Sequence, residues 1–426
     1  MNLSRVAMTT AAAITAAVTV VATVPATANA HGNGGGRSGH GHGGGGHGGP
    51  GHHSQTVRFQ TFNASLNRAT AGQLVADLST PNNAQAATVA EIIQRTRPDV
   101  LLINEFDYVP GNVAIDLFRD NYLEVPHNGA KPIHYRYAFV APSNTGIPSG
   151  FDLDNNGTVG GGNDAFGFGD FEGQFGMAVL SRYPIDFQKV RTFQKFLWKD
   201  MPGAMLPDDP ATPAPADWYS PAELDVFRLS SKSHWDLPIR IDRHKTVHFL
   251  VSHPTPPTFD GPDDRNGTRN HDEIRFWADY VSGEDYMYDD RGHDGGLKHG
   301  ASFVIAGDQN SDPVDGDSVD GSIQQLIDNP RIEDPLPTSA GGTEAAIRQG
   351  GANTAHLGDP KYDTADFNDN PAPGNLRADY VLPSKRLKVT GSGIFWPVPS
   401  DPLSSLTGEF PFPSSDHRTV WVDLRF

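Results

Sequence analysis

The chain contains no cysteine. That excludes disulfides, a thiolate nucleophile and a cysteine-ligated zinc site. Any metal site must therefore use Asp, Glu, Asn, His or carbonyl oxygen. Such donors favour magnesium, calcium or manganese, with His-assisted zinc also open. Positive charge is scarce too: 33 Lys and Arg face 51 Asp and Glu, for a net charge of −18 over 426 residues. An electrostatic nucleic-acid binder usually shows a basic face, so that class is disfavoured. Long apolar runs are also missing, with one exception at the N-terminus, Ala11 to Val24. No other run approaches the ~18 apolar residues of a spanning helix, so stable membrane insertion of the mature chain is not expected.

What the chain does have is glycine and proline, 46 and 34 residues, beside an apolar content of 37%. The combination predicts a loop-rich protein with an adequate core. Residues 1–30 read as a secretory signal: Arg5 gives the positive start, the apolar run follows, and Ala28-Asn29-Ala30 is a cleavage site. The competing reading is an N-terminal anchor. Cleavage removes only Arg5 among the charged residues and leaves the balance one unit more negative. A secreted, extracellular protein is expected. Residues 31–55 are rich in Gly and carry His31, His40, His42, His47, His52 and His53. They read either as a flexible linker or as a weak metal-collecting tail. One folded domain is expected over 56–426, with insertions near 150–175, 200–235 and 311–376. There is no internal repeat and no composition break that demands a second domain.

Within that domain, periodicity marks strands at Val57 to Phe62, Asp99 to Ile103, Met177 to Ser181, Leu237 to Ile241, Val247 to Ser252, Phe303 to Ala306, Ala378 to Leu382 and Thr419 to Leu424. Helices are expected over Asn82 to Thr96, Asn270 to Val281 and a short piece near Ile323 to Ile327. Strand, helix, strand at the start predicts a layered α/β fold. Residues 201–223 read as a surface excursion.

Polar residues recur where the apolar strands end: Asn63, Glu105, His253, Asp308 with Asn310, Asp379, and Asp416-His417 just before the last strand. Sheet ends are where α/β proteins build sites. In this order the residues resemble the endonuclease/exonuclease/phosphatase superfamily. That family shows an Asn after the first strand, a strand-ending Glu, a strand-ending His, a Gly-Asp-x-Asn, an Asp, and a near-terminal Ser-Asp-His. Here these fall on Asn63, Glu105, His253, Gly307-Asp308-Gln309-Asn310, Asp379 and Ser415-Asp416-His417. Gln309 departs from the pattern, since Phe is frequent there. Its side chain is expected on the opposite face of the strand end, in a packing role.

The resemblance implies a four-layer α/β sandwich, two mixed, mostly antiparallel sheets packed face to face with helices outside. It also implies roles. Glu105 would be the main ligand of Mg2+ (or Mn2+ or Ca2+), with Asn63 and Asp416 completing or flanking that site. Asp308 would orient or deprotonate the attacking water, and Asn310 would hold a non-bridging oxygen. His417, paired with Asp379, would bind phosphate or act as acid/base, and His253 would contact the phosphate from the other side. Taken singly, each has an ordinary alternative: a turn residue, a solvated strand end, a packed histidine, or Asp379 pairing with Arg377.

Two further features stay open at this stage. Asp152, Asp154 and Asn156, followed by Gly157, match the start of an EF-hand loop, though position 12 is Asn163. The loop is either a structural Ca2+ site or a plain Gly/Asp turn. Arg265, Arg269 and His271 cluster around Asn266-Gly267-Thr268 ahead of a helix, and Lys232 and His234 lie in a separate loop. They read either as phosphate contacts or as solvated charge. The expected function is a secreted, monomeric, metal-dependent hydrolase of phosphate mono- or diesters. A nuclease on DNA or RNA is the alternative within that chemistry, and a non-catalytic calcium-binding secreted protein is the alternative outside it.

Overall fold

The computed structural model describes residues 55–426, so the expected signal segment at 1–30 and all but the last residue of the expected linker lie outside the described residues. Thirteen strands are present among these: β1 (Thr56–Leu66), β2 (Val100–Phe106), β3 (Tyr137–Phe139), β4 (Met177–Ser181), β5 (Arg191–Thr192), β6 (Trp235–Arg240), β7 (Thr246–Val251), β8 (Ser302–Asp308), β9 (Ala365–Asp366), β10 (Asn375–Leu376), β11 (Asp379–Pro383), β12 (Lys388–Ile394) and β13 (Val420–Arg425). They form a six-stranded sheet, ordered β12-β13-β1-β2-β4-β3, a five-stranded sheet, ordered β11-β8-β7-β6-β5, and the small β9-β10 ribbon. In the two large sheets only β1–β2 and β7–β8 pair in parallel. The helices are α1 (Gln73–Leu78), α2 (Ala84–Thr96), α3 (Val113–Phe118), α4 (Pro221–Leu224), α5 (Arg265–Ser282), α6 (Gln324–Ile327) and α7 (Ala340–Gln349).

Strand alternation builds the layers. Val57 and Phe59 of β1, Val100 and Leu102 of β2, Phe249 and Val251 of β7, and Val304 and Ala306 of β8 all lie in one core between the sheets. Full burial of such side chains contributes about 1.5–3 kcal/mol each. Phe59 and Phe249 meet across the gap with ring centroids 5.5 Å apart. The outward residues Leu101 and Ile103 pack on α1–α3. Those of the second sheet, Leu250 and Ile305, pack on Ile274, Trp277 and Tyr280 of α5. The four-layer expectation therefore holds. α2 begins as its sequence implies, with the Asn83 side chain accepting the Ala86 N–H at 3.0 Å, a cap worth about 1 kcal/mol. Among the described residues no helix is long and apolar enough to cross a membrane.

Several bounds move. β1 continues to Leu66, so Asn63 lies inside a strand. β2 and β8 likewise include Glu105 and Asp308. α5 starts at Arg265, five residues before the expected helix, and its early turns bury Gly267, Arg269 and Asn270, which carry no apolar signal. The 311–376 insertion holds α7 besides the expected short helix. The 201–223 excursion is anchored at its ends by buried Met201 and Tyr219.

Candidate active site

The alternation that buries the core also aims the polar residues. Along β1 the inward series Val57, Phe59, Thr61 reaches Asn63; along β2, Val100 and Leu102 reach Asn104, and Asn63 and Asn104 are register partners. On the facing sheet, Val304 and Ala306 lead to Asp308, whose register partner on β11 is Asp379. The two sheets thus end together in one polar layer. Asn104 joins them, accepting the Asp308 backbone N–H at 3.1 Å. Glu105 would face outward by strict alternation, but its φ of +56° breaks the pattern and brings its carboxylate to Asn63 Nδ2 at 3.0 Å. A positive φ at a non-glycine residue is uncommon and often marks functional geometry. At Gly307, φ is +152° and an added Cβ would meet the Ser252 carbonyl oxygen at 2.1 Å, so glycine is required for β8 to close on the His253 segment.

Asp308 is the hub. Its Oδ2 accepts Asn63 Nδ2 at 3.0 Å and faces His253 Nε2 at 3.3 Å and His417 Nε2 at 3.5 Å. Its Oδ1 accepts only the Asn310 backbone N–H, at 2.9 Å. His417 Nδ1 lies 2.8 Å from Asp379 Oδ2, and the Thr364 hydroxyl donates to that same oxygen at 2.8 Å. The alternative pairing of Asp379 with Arg377 does not form, because Arg377 binds Asp334 at 2.6 Å. Asn310 donates through Nδ2 to the Pro254 carbonyl at 3.1 Å. Asp416 stands one step away, accepting from Ser65 Oγ at 3.3 Å, while the Ser415 hydroxyl donates to the Asn63 carbonyl at 2.7 Å and ties the last loop to β1. Gln309 lies on the α5 side, its Nε2 3.4 Å from Ser252 Oγ.

These contacts set the charges. Burial opposes ionisation of Asp308, yet His417 and His253 outweigh it and hold its carboxyl well below the usual range. For His417 burial favours the neutral ring, but Asp379 and Asp308 raise its pKa well above the ordinary value, so it stands as an imidazolium between two carboxylates. His253 goes the other way: burial, then the Lys232 charge, lowers it to about 4, so it is neutral near pH 7. Glu105 is pushed up to about 7, by burial first and by Asp416 next. Its carboxylate accepts one hydrogen bond from the chain. A buried carboxylate with one hydrogen bond, near the Asp416 carboxylate and the Asn63 amide, fits a hard divalent cation, whose charge would offset both causes of the shift.

Among the described residues, two sets of acidic and histidine groups bring ligand atoms within 4.8 Å of one another: Asp308, Asp379 and His417, and Asp152, Asp154 and Asp164. In the first set His417 already supplies a positive charge beside the two carboxylates. In the second, Asp164 joins Asp152 and Asp154, and Asn156 binds inward through its own N–H to Asp152 Oδ1 at 3.0 Å. The expectation for Arg269 fails. It is buried in α5 and its guanidinium donates to the carbonyls of Leu229, Phe166 and Arg228. Arg265 is paired with Asp263 at 2.9 Å and His271 with Asp272 at 3.0 Å, so neither is a free cation. Arg265 lies in the first turn of α5, ahead of the start expected from the sequence, and His271 lies in the part that was expected. Residues that sequence reasoning missed are Asn104, Thr364 and Phe367, whose ring meets that of His417 edge-on at 5.3 Å. Thr364 and Phe367 flank a two-residue strand too short to leave a periodic signal. Lys232, for which phosphate contact and solvated charge were both open, is 6% exposed and reaches the Pro254 carbonyl that also takes Asn310, so it is not solvated.

A family model described as the Endonuclease/Exonuclease/phosphatase family matches residues 61–417. No curated relative matches the chain in sequence. Among solved structures, the chain is similar to an endonuclease/exonuclease/phosphatase from Beutenbergia cavernae at 14% identity, covering 87% of this chain and 72% of that one with a TM-score of 0.46. It is similar to TDP2 from Caenorhabditis elegans at 13% identity, covering 87% and 74% with a TM-score of 0.40. It is also similar to beta toxin from Staphylococcus aureus at 14% identity, covering 86% and 99% with a TM-score of 0.39.

Proposed function

The chain belongs to the endonuclease/exonuclease/phosphatase family, and on that premise we propose that it is a secreted, magnesium-dependent hydrolase of phosphate esters. The observation that carries this reading is the convergence of Asn63, His253 and His417 on one oxygen of Asp308, with Asp379 behind His417. Asn63 donates to Oδ2 and both imidazole Nε2 atoms face it at 3.3 and 3.5 Å, while Oδ1 accepts a single N–H, so Oδ1 is the side free to take a hydrogen bond from water. The depressed pKa of Asp308 suits a group that orients that water in the resting site. His417, held positive by Asp379 and Asp308, is placed to donate a proton or to neutralise a phosphoryl oxygen. Neutral His253 stays a hydrogen-bonding group. Asn310, fixed by the Pro254 carbonyl, keeps a second amide N–H for a non-bridging oxygen. Glu105 and Asp416, with Asn63, would hold the divalent cation, which supplies charge neutralisation at the phosphoryl oxygen and at the departing oxygen.

The acidic balance of the chain favours an ester smaller than a nucleic-acid polymer, and a nuclease is the competing outcome. The test is a parallel assay on bis(p-nitrophenyl) phosphate, p-nitrophenyl phosphate and plasmid DNA, each with Mg2+ and with EDTA. We expect Mg2+-dependent release of nitrophenol. Cleavage of DNA alone would move the assignment to a nuclease, and no turnover of any substrate would remove the phosphoesterase reading.

A further inference from the structure

We propose that Lys232 is a phosphate-binding residue of this site, its ammonium donating to a non-bridging oxygen of the phosphoryl group that Asn310 holds. The inference rests on the phosphoesterase reading and adds a residue to it. Lys232 is 6% exposed. An ammonium has three N–H donors, yet the sole acceptor Lys232 reaches among the described residues is the Pro254 carbonyl, at a marginal 3.5 Å. Among the described residues no carboxylate lies within ion-pair distance of it. Burying a cation in this state is expensive unless an anion completes it.

The anion's place is marked by the same carbonyl. Pro254 O also accepts Asn310 Nδ2, at 3.1 Å, so the lysine and the phosphate-facing amide converge on one atom and both keep donors in reserve. The lysine is held there by its neighbours. The Ser231 N–H and the Thr255 N–H each bind one oxygen of Glu273, both at 2.6 Å. The Ser231 hydroxyl donates to the His253 carbonyl at 3.3 Å, and the Lys232 carbonyl accepts the Asn144 N–H at 2.8 Å. Glu273 thereby clamps the lysine segment to the His253–Thr255 segment and is consumed by backbone amides, leaving the ammonium unneutralised. Burial lowers the lysine pKa, while Glu273, Glu105 and Asp308 oppose that loss of charge. A phosphoryl group entering here meets Glu105, Asp308, Asp379 and Asp416, and a buried cation from the chain itself offsets their repulsion.

The experiment compares wild type with Lys232→Met and Lys232→Gln. Inorganic phosphate binding is measured by calorimetry in Mg2+ buffer, and kcat/KM on bis(p-nitrophenyl) phosphate is measured in parallel. Both variants should bind phosphate about tenfold or more weakly and lose about 10- to 100-fold in kcat/KM, the range for a charge-assisted hydrogen bond. The thermal midpoint of Lys232→Met should equal or exceed that of wild type, since an unpaired buried cation has been removed. The glutamine variant, which can keep the bond to Pro254, stands in if the methionine variant does not fold. Phosphate affinity and kcat/KM both within threefold of wild type, or a drop in midpoint with phosphate affinity unchanged, would overturn the proposal. Calorimetry needs no turnover, so the role of Lys232 is decided separately from whether the chain hydrolyses the ester.

Discussion

Two clusters among the described residues each bring carboxylates within 4.8 Å of one another, and they are held by opposite means. Asp152, Asp154 and Asp164 belong to one loop, and their oxygens are filled mostly by that loop's own backbone: Asp164 takes the Leu153 N–H at 2.7 Å and the Gly160 N–H at 2.6 Å, and Asp152 takes the Gly157 N–H at 2.7 Å. Asp308 and Asp379 lie on adjacent strands, and apart from the Asn310 N–H on Asp308 their partners are side chains from other segments. Asn63 reaches Asp308 across 245 residues of sequence, and His417 reaches Asp379 across 38. Amide-filled carboxylates shape a loop. Carboxylates filled by imidazoles and amide side chains sit in a set of protons that can move. The first cluster should therefore govern stability and the second should govern rate.

The strongest way to break that contrast is His417→Ala. It removes the one charged donor between Asp308 and Asp379 and should lower kcat/KM on bis(p-nitrophenyl) phosphate by about 10³-fold. A loss under tenfold would place the second cluster with the structural one. Asp379→Asn keeps the shape and removes the charge behind His417, with an expected loss of about 10²-fold. It also carries a pH signature. Removing that anion lowers the pKa of His417 toward its ordinary value, so activity that needs the imidazolium should fade at lower pH than in wild type, as read from the pH profile of kcat.

On the other side, Asp164→Ala strips two amides of their buried acceptor and should cost about 1–3 kcal/mol in a urea melt, with kcat unchanged. The smallest effect expected is that of calcium. We read Asp152, Asp154 and Asn156 as a structural calcium loop, completed by Asp164. Chelation with EGTA should then lower the melting temperature of wild type by a few degrees at most and leave Asp152→Ala unmoved. A wild type indifferent to chelation would leave the loop a Gly/Asp turn.

How much of this was legible in the sequence follows from how local each signal is. β4 was readable to the residue because its apolar run is short, uninterrupted and closed by Tyr183-Pro184. The ordered polar strand ends were readable because each adjoins an apolar run, Asn63, Glu105, His253 and Asp308 after one, Asp379 and Asp416-His417 before one. Their convergence depends on inward parity carried along β1, β2, β8 and β11, and on a broken parity at Glu105 that no composition reveals. β12 was missed because Gly391-Ser392-Gly393 lacks strand-forming side chains and pairs only through β13. α7 was missed because Gly341 and Gly342 weaken its helical signal, although Trp396 packs so close to Gly341 that a Cβ would meet its carbonyl oxygen at 2.1 Å. Arg269 was misjudged because a cation before an apolar helix looks solvated until three carbonyls close around it.

The measurement closest to the central claim is the initial rate of bis(p-nitrophenyl) phosphate hydrolysis with saturating Mg2+, taken for wild type and Asp308→Ala at equal enzyme concentration. With Asp308 as the hub that orients water, wild type should turn over and the variant should lose at least about 10³-fold. A variant rate within threefold of an active wild type would contradict the account.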